Sequence, residues 1–180
     1  MVSSTKSLNR SSGLSKQLSK AAGEQLVSYL LTRRGWFVVN ANSGVQNMAN
    51  LDLIALKGKR RVTIQVKAGR AISHVPLAGT YKSNSNPLYF NTKEGPKADV
   101  VAFVRLDPKG DDEVFFVPVR QANTIARKLG EAEAAGKKKR GSSLNFPLWC
   151  RVNGKTSIPH QKAAMKKMLL WRNTKLEKIV

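Results

Sequence analysis

The 180-residue chain has one cysteine, Cys150, and two histidines, His74 and His160. An internal disulfide is therefore excluded, and a Cys/His zinc centre has too few ligands. Acidic residues are scarce: 11 Asp and Glu stand against 32 Lys and Arg, a formal charge of +21. No apolar run exceeds the five residues from Val100 to Val104, far below the ~20 that span a bilayer, so no membrane partner is expected. Met1 to Lys20 is polar and Ser-rich and lacks the apolar stretch of a signal peptide. A reducing, cytoplasmic or nucleoid-associated setting is the expectation. What is present is a hydrophobic fraction of 41%, enough to bury a core and too much for a disordered basic tail.

So large a charge repels itself unless a polyanion is near, which puts nucleic acid first among partners and an anionic membrane surface second. The charge is uneven. Residues 1–20 carry four basic residues and no acid; residues 21–120 carry 14 basic and eight acidic; residues 121–180 carry 14 basic and three acidic. The middle reads as a folded core with basic attachments. The expected organisation is a flexible basic N-terminus over 1–14, a core over 15–135, and a basic linker with a C-terminal helix over 136–180.

Periodicity predicts a helix from about Ser15 to Arg34, stopped by Gly35. Leu18, Ala22, Leu26, Tyr29 and Leu30 share one helical face; Glu24, Val27 and Leu31 share another, and either could be buried. Strands are predicted over Trp36 to Ala41, Leu51 to Leu56 and Arg61 to Lys67, the last two forming a hairpin around Lys57-Gly58-Lys59-Arg60. Ala68 to Ala98 reads as long and irregular. Asp99 to Leu106 reads as a central strand, Glu113 to Val119 as another, and Gln121 to Glu133 as a helix. A last helix, capped by Ser157, is predicted from about Pro159 to Lys178, with Met165, Met168, Leu169, Leu176 and Ile179 as its apolar stripe. Alternating helices and strands give an α/β fold class.

In so basic a chain, an acid at a structured position needs a reason. Asp52 opens one hairpin strand, and Gln65 and Lys67 lie two apart on the next. A two-residue turn at Gly58-Lys59 sets Asp52 opposite Gln65, and a looser turn sets it opposite Lys67. Either register gathers a carboxylate, an amide oxygen and an ammonium at one end of the hairpin. Glu24, on an apolar helical stripe, is costly to bury without a metal, a lysine or a hydrogen bond. The plainer readings are that Asp52 is a turn residue, Lys67 a solvated strand end and Glu24 an exposed helical acid. Trp36, Trp149 and Trp171 read as core residues, and Lys137 to Arg140 as an electrostatic arm.

The runs GEQLVSYLLTRRGWFVV (23–39), NLDLIAL (50–56), RVTIQVK (61–67) and ADVVAFVRL (98–106) together resemble the restriction-endonuclease-like PD-(D/E)XK nucleases. The similarity in order and spacing runs to the small Holliday-junction resolvase-like and restriction-like homing endonuclease members. Leu51 replaces the signature Pro, and Gln65 replaces the usual acid, as in Gln-x-Lys variants of that superfamily. Gln supplies an oxygen without charge, so metal affinity falls unless Glu24 contributes.

The resemblance implies a mixed β-sheet of about five strands flanked by helices, with the basic C-terminal helical extension outside it. It implies Mg²⁺ as cofactor, with Mn²⁺ able to substitute. Asp52, the Gln65 side-chain oxygen, the Val66 carbonyl and Glu24 would be its ligands, and Lys67 would orient or deprotonate the attacking water. Glu24, Asp52, Gln65 and Lys67 would form the catalytic set of a DNA endonuclease cutting duplex or branched DNA. Lys20, Arg33, Arg34, Lys59, Arg60, Arg61, Arg70 and Lys82 are the expected DNA-backbone contacts. Cutting both strands needs two sites, so a homodimer or higher homo-oligomer is expected. The alternatives are a non-catalytic nucleic-acid-binding protein on the same fold and a structural RNA-binding protein.

Overall fold

A computed structural model of the chain describes residues 7–43, 50–69, 75–80, 97–107, 110–125, 127 and 143–146, together with Leu170, Arg172 and Lys178. The strands in chain order are β1 (Phe37–Asn40), β2 (Leu53–Lys57), β3 (Arg60–Gly69), β4 (Val75–Thr80), β5 (Val100–Arg105), β6 (Glu113–Pro118) and β7 (Ser143–Phe146). They follow helix α1 (Ser7–Thr32), and a second helix, α2, covers residues 119–125. The main sheet has the order β1-β2-β3-β5-β6, parallel only between β3 and β5. The fold is α/β, a five-stranded mixed sheet with flanking helices.

The hairpin forms as its turn residues dictate. Lys57 pairs with Arg60 across Gly58-Lys59, and Gly58 takes the left-handed φ of 57° that this tight turn demands. Of the two registers the sequence allows, this is the tighter one. β5 is buried along its whole length, the burial expected of an unbroken apolar run at a sheet centre.

Helix α1 begins at Ser7, earlier than the predicted Ser15, and ends in a Schellman motif. The Trp36 N–H donates to Leu31 O at 3.1 Å, the Gly35 N–H donates to Thr32 O at 2.9 Å, and Gly35 has φ of 76°. Trp36 and Leu31 meet in the core, the hydrophobic contact that usually accompanies this ending.

The buried face of α1 is the one carrying Glu24, Val27 and Leu31. Val27 and Leu31 belong to one buried cluster with Leu53, Ala55, Val62, Ile64, Val66, Val100 and Ala102 of the sheet, while Leu18 and Tyr29 are exposed. Gly23 selects that face. A Cβ there would overlap Ala68 Cβ and lie 3.5 Å from Val66 Cγ1, so the missing side chain lets the helix backbone rest directly on β3.

One expectation changes. The irregular span Ala68 to Ala98 contains β4, which pairs with β7 in a separate antiparallel two-stranded sheet. Its pairing partner lies far along the chain, where no local pattern announces it. Of the stretch predicted as a C-terminal helix, only Leu170, Arg172 and Lys178 are described, and the rest lies outside the described residues. Leu170 lies in a turn, Arg172 makes an antiparallel bridge to Phe115, and Lys178 is in a 3₁₀ turn. The bridge is held by an ion pair: Arg172 Nη2 sits 2.7 Å from Glu113 Oε1, and Glu113 also receives Arg105 Nε at 2.9 Å. Trp149, Trp171, His74, Lys137 to Arg140 and the methionine stripe lie outside the described residues.

Candidate active site

Most carboxylates described in the core have structural work. Asp99 Oδ2 accepts from the Thr63 N–H at 2.8 Å and from Thr63 Oγ1 at 2.7 Å, tying the entry of β5 to β3. Glu113 pairs with Arg105 and Arg172, and Asp107 pairs with Arg105. Asp112 Oδ1 accepts from the Asp107 N–H at 2.7 Å. Glu24 and Asp52 are the two that instead face one another across α1 and the start of β2.

Asp52 is reached through Asn50, whose φ of 66° is left-handed, a conformation Asn tolerates better than most residues. Buried Leu51 follows, and the chain then locks: the Asp52 N–H donates to Ile64 O at 2.9 Å, and Asp52 O accepts from the Ala41 N–H at 2.8 Å. The carboxylate is equally fixed. Its Oδ2 accepts from the Val66 N–H at 2.8 Å, and its Oδ1 accepts from Asn42 Nδ2 at 3.2 Å.

Glu24 arrives on α1, one residue after the glycine that seats the helix on β3. Its Oε2 accepts from Asn40 Nδ2 at 3.3 Å. Asn40 and Asn42 are themselves joined, Asn40 Oδ1 accepting from the Asn42 N–H at 2.8 Å. The exit of β1 thus presents one amide to each carboxylate.

A single ammonium spans the two acids. Lys20 Nζ lies 3.6 Å from Glu24 Oε1 and 3.5 Å from Asp52 Oδ1. The carboxylate side chains are only 11% and 10% exposed, whereas that of Lys20 is 52% exposed. Burial, reinforced by the Asp52 charge, raises the Glu24 pKa above the ordinary carboxylate value; Lys20 and the Asn40 hydrogen bond only partly offset this. The pair is an electrostatic sink for a cation.

The other expected residues are placed as follows. The observed register, Leu53 with Ile64, sets Asp52 opposite Gln65. Gln65 Oε1 is buried and accepts no hydrogen bond from the described residues; Glu24 Oε1 likewise accepts none. Gln65 and Lys67 alternate with Ile64 and Val66, so they belong to the sheet face turned away from α1, beside Val101 and Phe103. At Val66 the contact with Asp52 is through the N–H. Among the described residues no group of three or more His, Cys, Asp or Glu gathers. The structure brings together the two carboxylates, Glu24 and Asp52, a pair that suits a hard cation served by oxygen, and leaves Gln65 and Lys67 on the other face of the sheet.

Lys20 was legible only as a DNA-contacting lysine; the structure makes it part of the site. Its i, i+4 spacing to Glu24 was the available signal. Asn40 and Asn42 carried no signal beyond their place at a strand exit.

Arg33, Arg34, Lys59, Arg60 and Arg61 lie at the far end of the hairpin. Six residue steps from Asp52 along β2 to Gly58, at ~3.3 Å each, separate the two by roughly 20 Å. There Lys57 Nζ donates to Arg34 O at 2.7 Å and sits 5.8 Å from the Trp36 ring centroid, and Arg33 stacks on Tyr29 at 5.6 Å. These cations form a patch of their own, remote from the carboxylates. Arg70 and Lys82 lie outside the described residues.

No protein-family model and no curated protein matches the chain. Among solved structures, the bacterial homing endonuclease I-Ssp6803I is similar over 61% of this chain and 73% of its own, at 14% identity and a TM-score of 0.43. No residue's role is taken from that likeness. No described helix is long and apolar enough to cross a membrane.

Proposed function

We propose that the chain is a Mg²⁺-dependent DNA endonuclease whose charged metal ligands are Glu24 and Asp52, with Mn²⁺ able to substitute. The carrying observation is that these two nearly buried carboxylates are held by separate asparagines and share one cation, within a +21 chain. A divalent ion bound there would polarise a phosphodiester and lower the pKa of a bound water.

The chain's own residues do the rest. Asn40 and Asn42 fix the carboxylates, and the Val66 N–H holds Asp52 in one rotamer. Gln65, opposite Asp52 in the hairpin, and the Val66 carbonyl would be neutral oxygen ligands on the Asp52 side only. Lys67 sets a positive charge where the phosphate gains negative charge, and it orients the attacking water. Arg33, Arg34, Lys59, Arg60 and Arg61 hold the DNA backbone at a distance from the cut.

The test is cleavage of linear, supercoiled and four-way-junction DNA in Mg²⁺ by pure wild type and Lys67→Ala. Cleavage lost on Lys67→Ala supports the reading; no cleavage of any substrate by wild type overturns it. Scission of both strands calls for two such sites, hence a homodimer or higher homo-oligomer on DNA. Light scattering of the DNA complex checks this, and a strict monomer that cuts both strands contradicts it.

The uncharged Gln65 favours a second reading, a non-catalytic nucleic-acid-binding protein. It predicts binding that is indifferent to Mg²⁺ and to Lys67→Ala, and that weakens by orders of magnitude over a few-fold rise in salt.

A further inference from the structure

The Lys20 ammonium lies between Glu24 and Asp52, against one oxygen of each carboxylate. We infer that Lys20 is a resident counter-cation of the site: it offsets part of the charge of the carboxylate pair in the metal-free protein and must be displaced when a divalent ion binds. The inference rests on the metal reading of Glu24 and Asp52.

Three observations carry it. First, Lys20 Nζ is nearly equidistant from one oxygen of each acid, 3.6 Å and 3.5 Å, the placement of a bridging cation. Second, Glu24 Oε1 is left for a newcomer, and Asp52 Oδ1 accepts from Asn42 Nδ2 at a long 3.2 Å. Asp52 Oδ2 is engaged by the Val66 N–H and Glu24 Oε2 by Asn40, while Glu24 Oε1 accepts no hydrogen bond from the described residues. Third, the lysine is free to leave, since its side chain is 52% exposed on an α-helical stem one turn before Glu24. A lysine ammonium is a compact, hydrated point charge on four flexible carbons and loses little by swinging into water. Two nearly buried carboxylates on one site are costly without a counter-charge, and the ammonium supplies it before any metal arrives.

The consequence is a competition that sets metal affinity. Removing the ammonium leaves the pair uncompensated and removes a like charge a few ångströms from the incoming ion. Lys20→Met keeps most of the aliphatic stem and deletes the charge; Lys20→Arg keeps the charge.

The test is Mn²⁺ binding to the full chain without DNA, by calorimetry and by the loss of the free-ion electron paramagnetic resonance signal at low ionic strength. Melting in chelator establishes that each variant folds. Lys20→Met is expected to bind Mn²⁺ more tightly, on the order of tenfold, while Lys20→Arg stays within about twofold of wild type. In chelator, Lys20→Met should melt below wild type at neutral pH and recover when Mn²⁺ is added. Equal or weaker Mn²⁺ affinity in Lys20→Met, with wild type binding the ion, overturns the role of Lys20 and leaves the metal site standing. Absence of Mn²⁺ binding in wild type and Lys20→Met alike overturns both.

Discussion

Gly23→Ala is the substitution whose sign discriminates most sharply. In an isolated or solvent-facing helix, alanine is favoured over glycine by about 1 kcal/mol. Here the added Cβ would overlap Ala68 Cβ, a backbone-fixed atom with no rotamer to yield, with Val66 Cγ1 at 3.5 Å and Ala68 Cα at 3.7 Å. Carbon atoms pack at ~3.5–4.0 Å, so α1 and β3 must separate by on the order of 1 Å. That separation loosens Val27 and Leu31 against the sheet. Overpacking of this kind costs about 1–3 kcal/mol, enough to outweigh the helix preference. At about 2–4 °C per kcal/mol for a chain of this size, the net expectation is a melting temperature lower by several degrees. Glu24, the next residue, moves with the helix away from Asn40 and Asp52, so Mn²⁺ affinity falls as well. Thermal melting and calorimetry read both. A stabilised Gly23→Ala with unchanged Mn²⁺ binding would refute the seating of α1 on β3 and the placement of Glu24 that depends on it.

The raised pKa of Glu24 makes its ionised form a burden on the folded state. Folding is therefore helped by protonation as pH falls through the native Glu24 value, and that help is lost as pH rises through it. Glu24→Gln should narrow its stability gap to wild type, or exceed wild type, as pH rises from about 4 to 8, by urea unfolding at each pH; a gap that widens contradicts the sign. Gly35→Ala should destabilise by roughly 1 kcal/mol, the cost of a left-handed non-glycine residue, without altering Mn²⁺ affinity; an unchanged melting temperature refutes the Schellman ending. Replacing Lys59, Arg60 and Arg61 by Gln together should lower the salt slope of DNA binding by about 3 while leaving Mn²⁺ affinity intact. A slope that does not change removes the hairpin tip from the DNA-binding surface.

Features written in short-range pattern were legible in the sequence. Gly58-Lys59 between alternating strands fixes the hairpin, the run Val100 to Val104 fixes the buried strand, and Gly35 after a helical stripe fixes the end of α1. Glu24 and Asp52 stood out because a basic chain has few acids to place. Features decided by contact between distant segments were not legible. Both faces of α1 are apolar, and only the fit of Gly23 against Ala68 decides between them. β4 is a strand because β7 pairs with it, and the bridge from Arg172 to Phe115 joins segments far apart in the chain. The same holds within the site: nothing near Asn40, Asn42 or Lys20 in the sequence says that the exit of β1 and a helical lysine converge on the two carboxylates.

The central claim is that Glu24 and Asp52 hold a divalent ion that hydrolyses DNA, and Asp52→Asn tests it most directly. The substitution preserves an oxygen for the Val66 N–H and removes the charge, so the fold is retained while the site loses half its ligand charge. The measurement is nicking of supercoiled plasmid in Mg²⁺ by wild type and Asp52→Asn purified side by side, with matched melting curves. The account predicts Mg²⁺-dependent nicking by wild type that falls by at least about a hundredfold in the variant. Nicking that survives Asp52→Asn, or a wild type that binds plasmid and never cuts it, would contradict it.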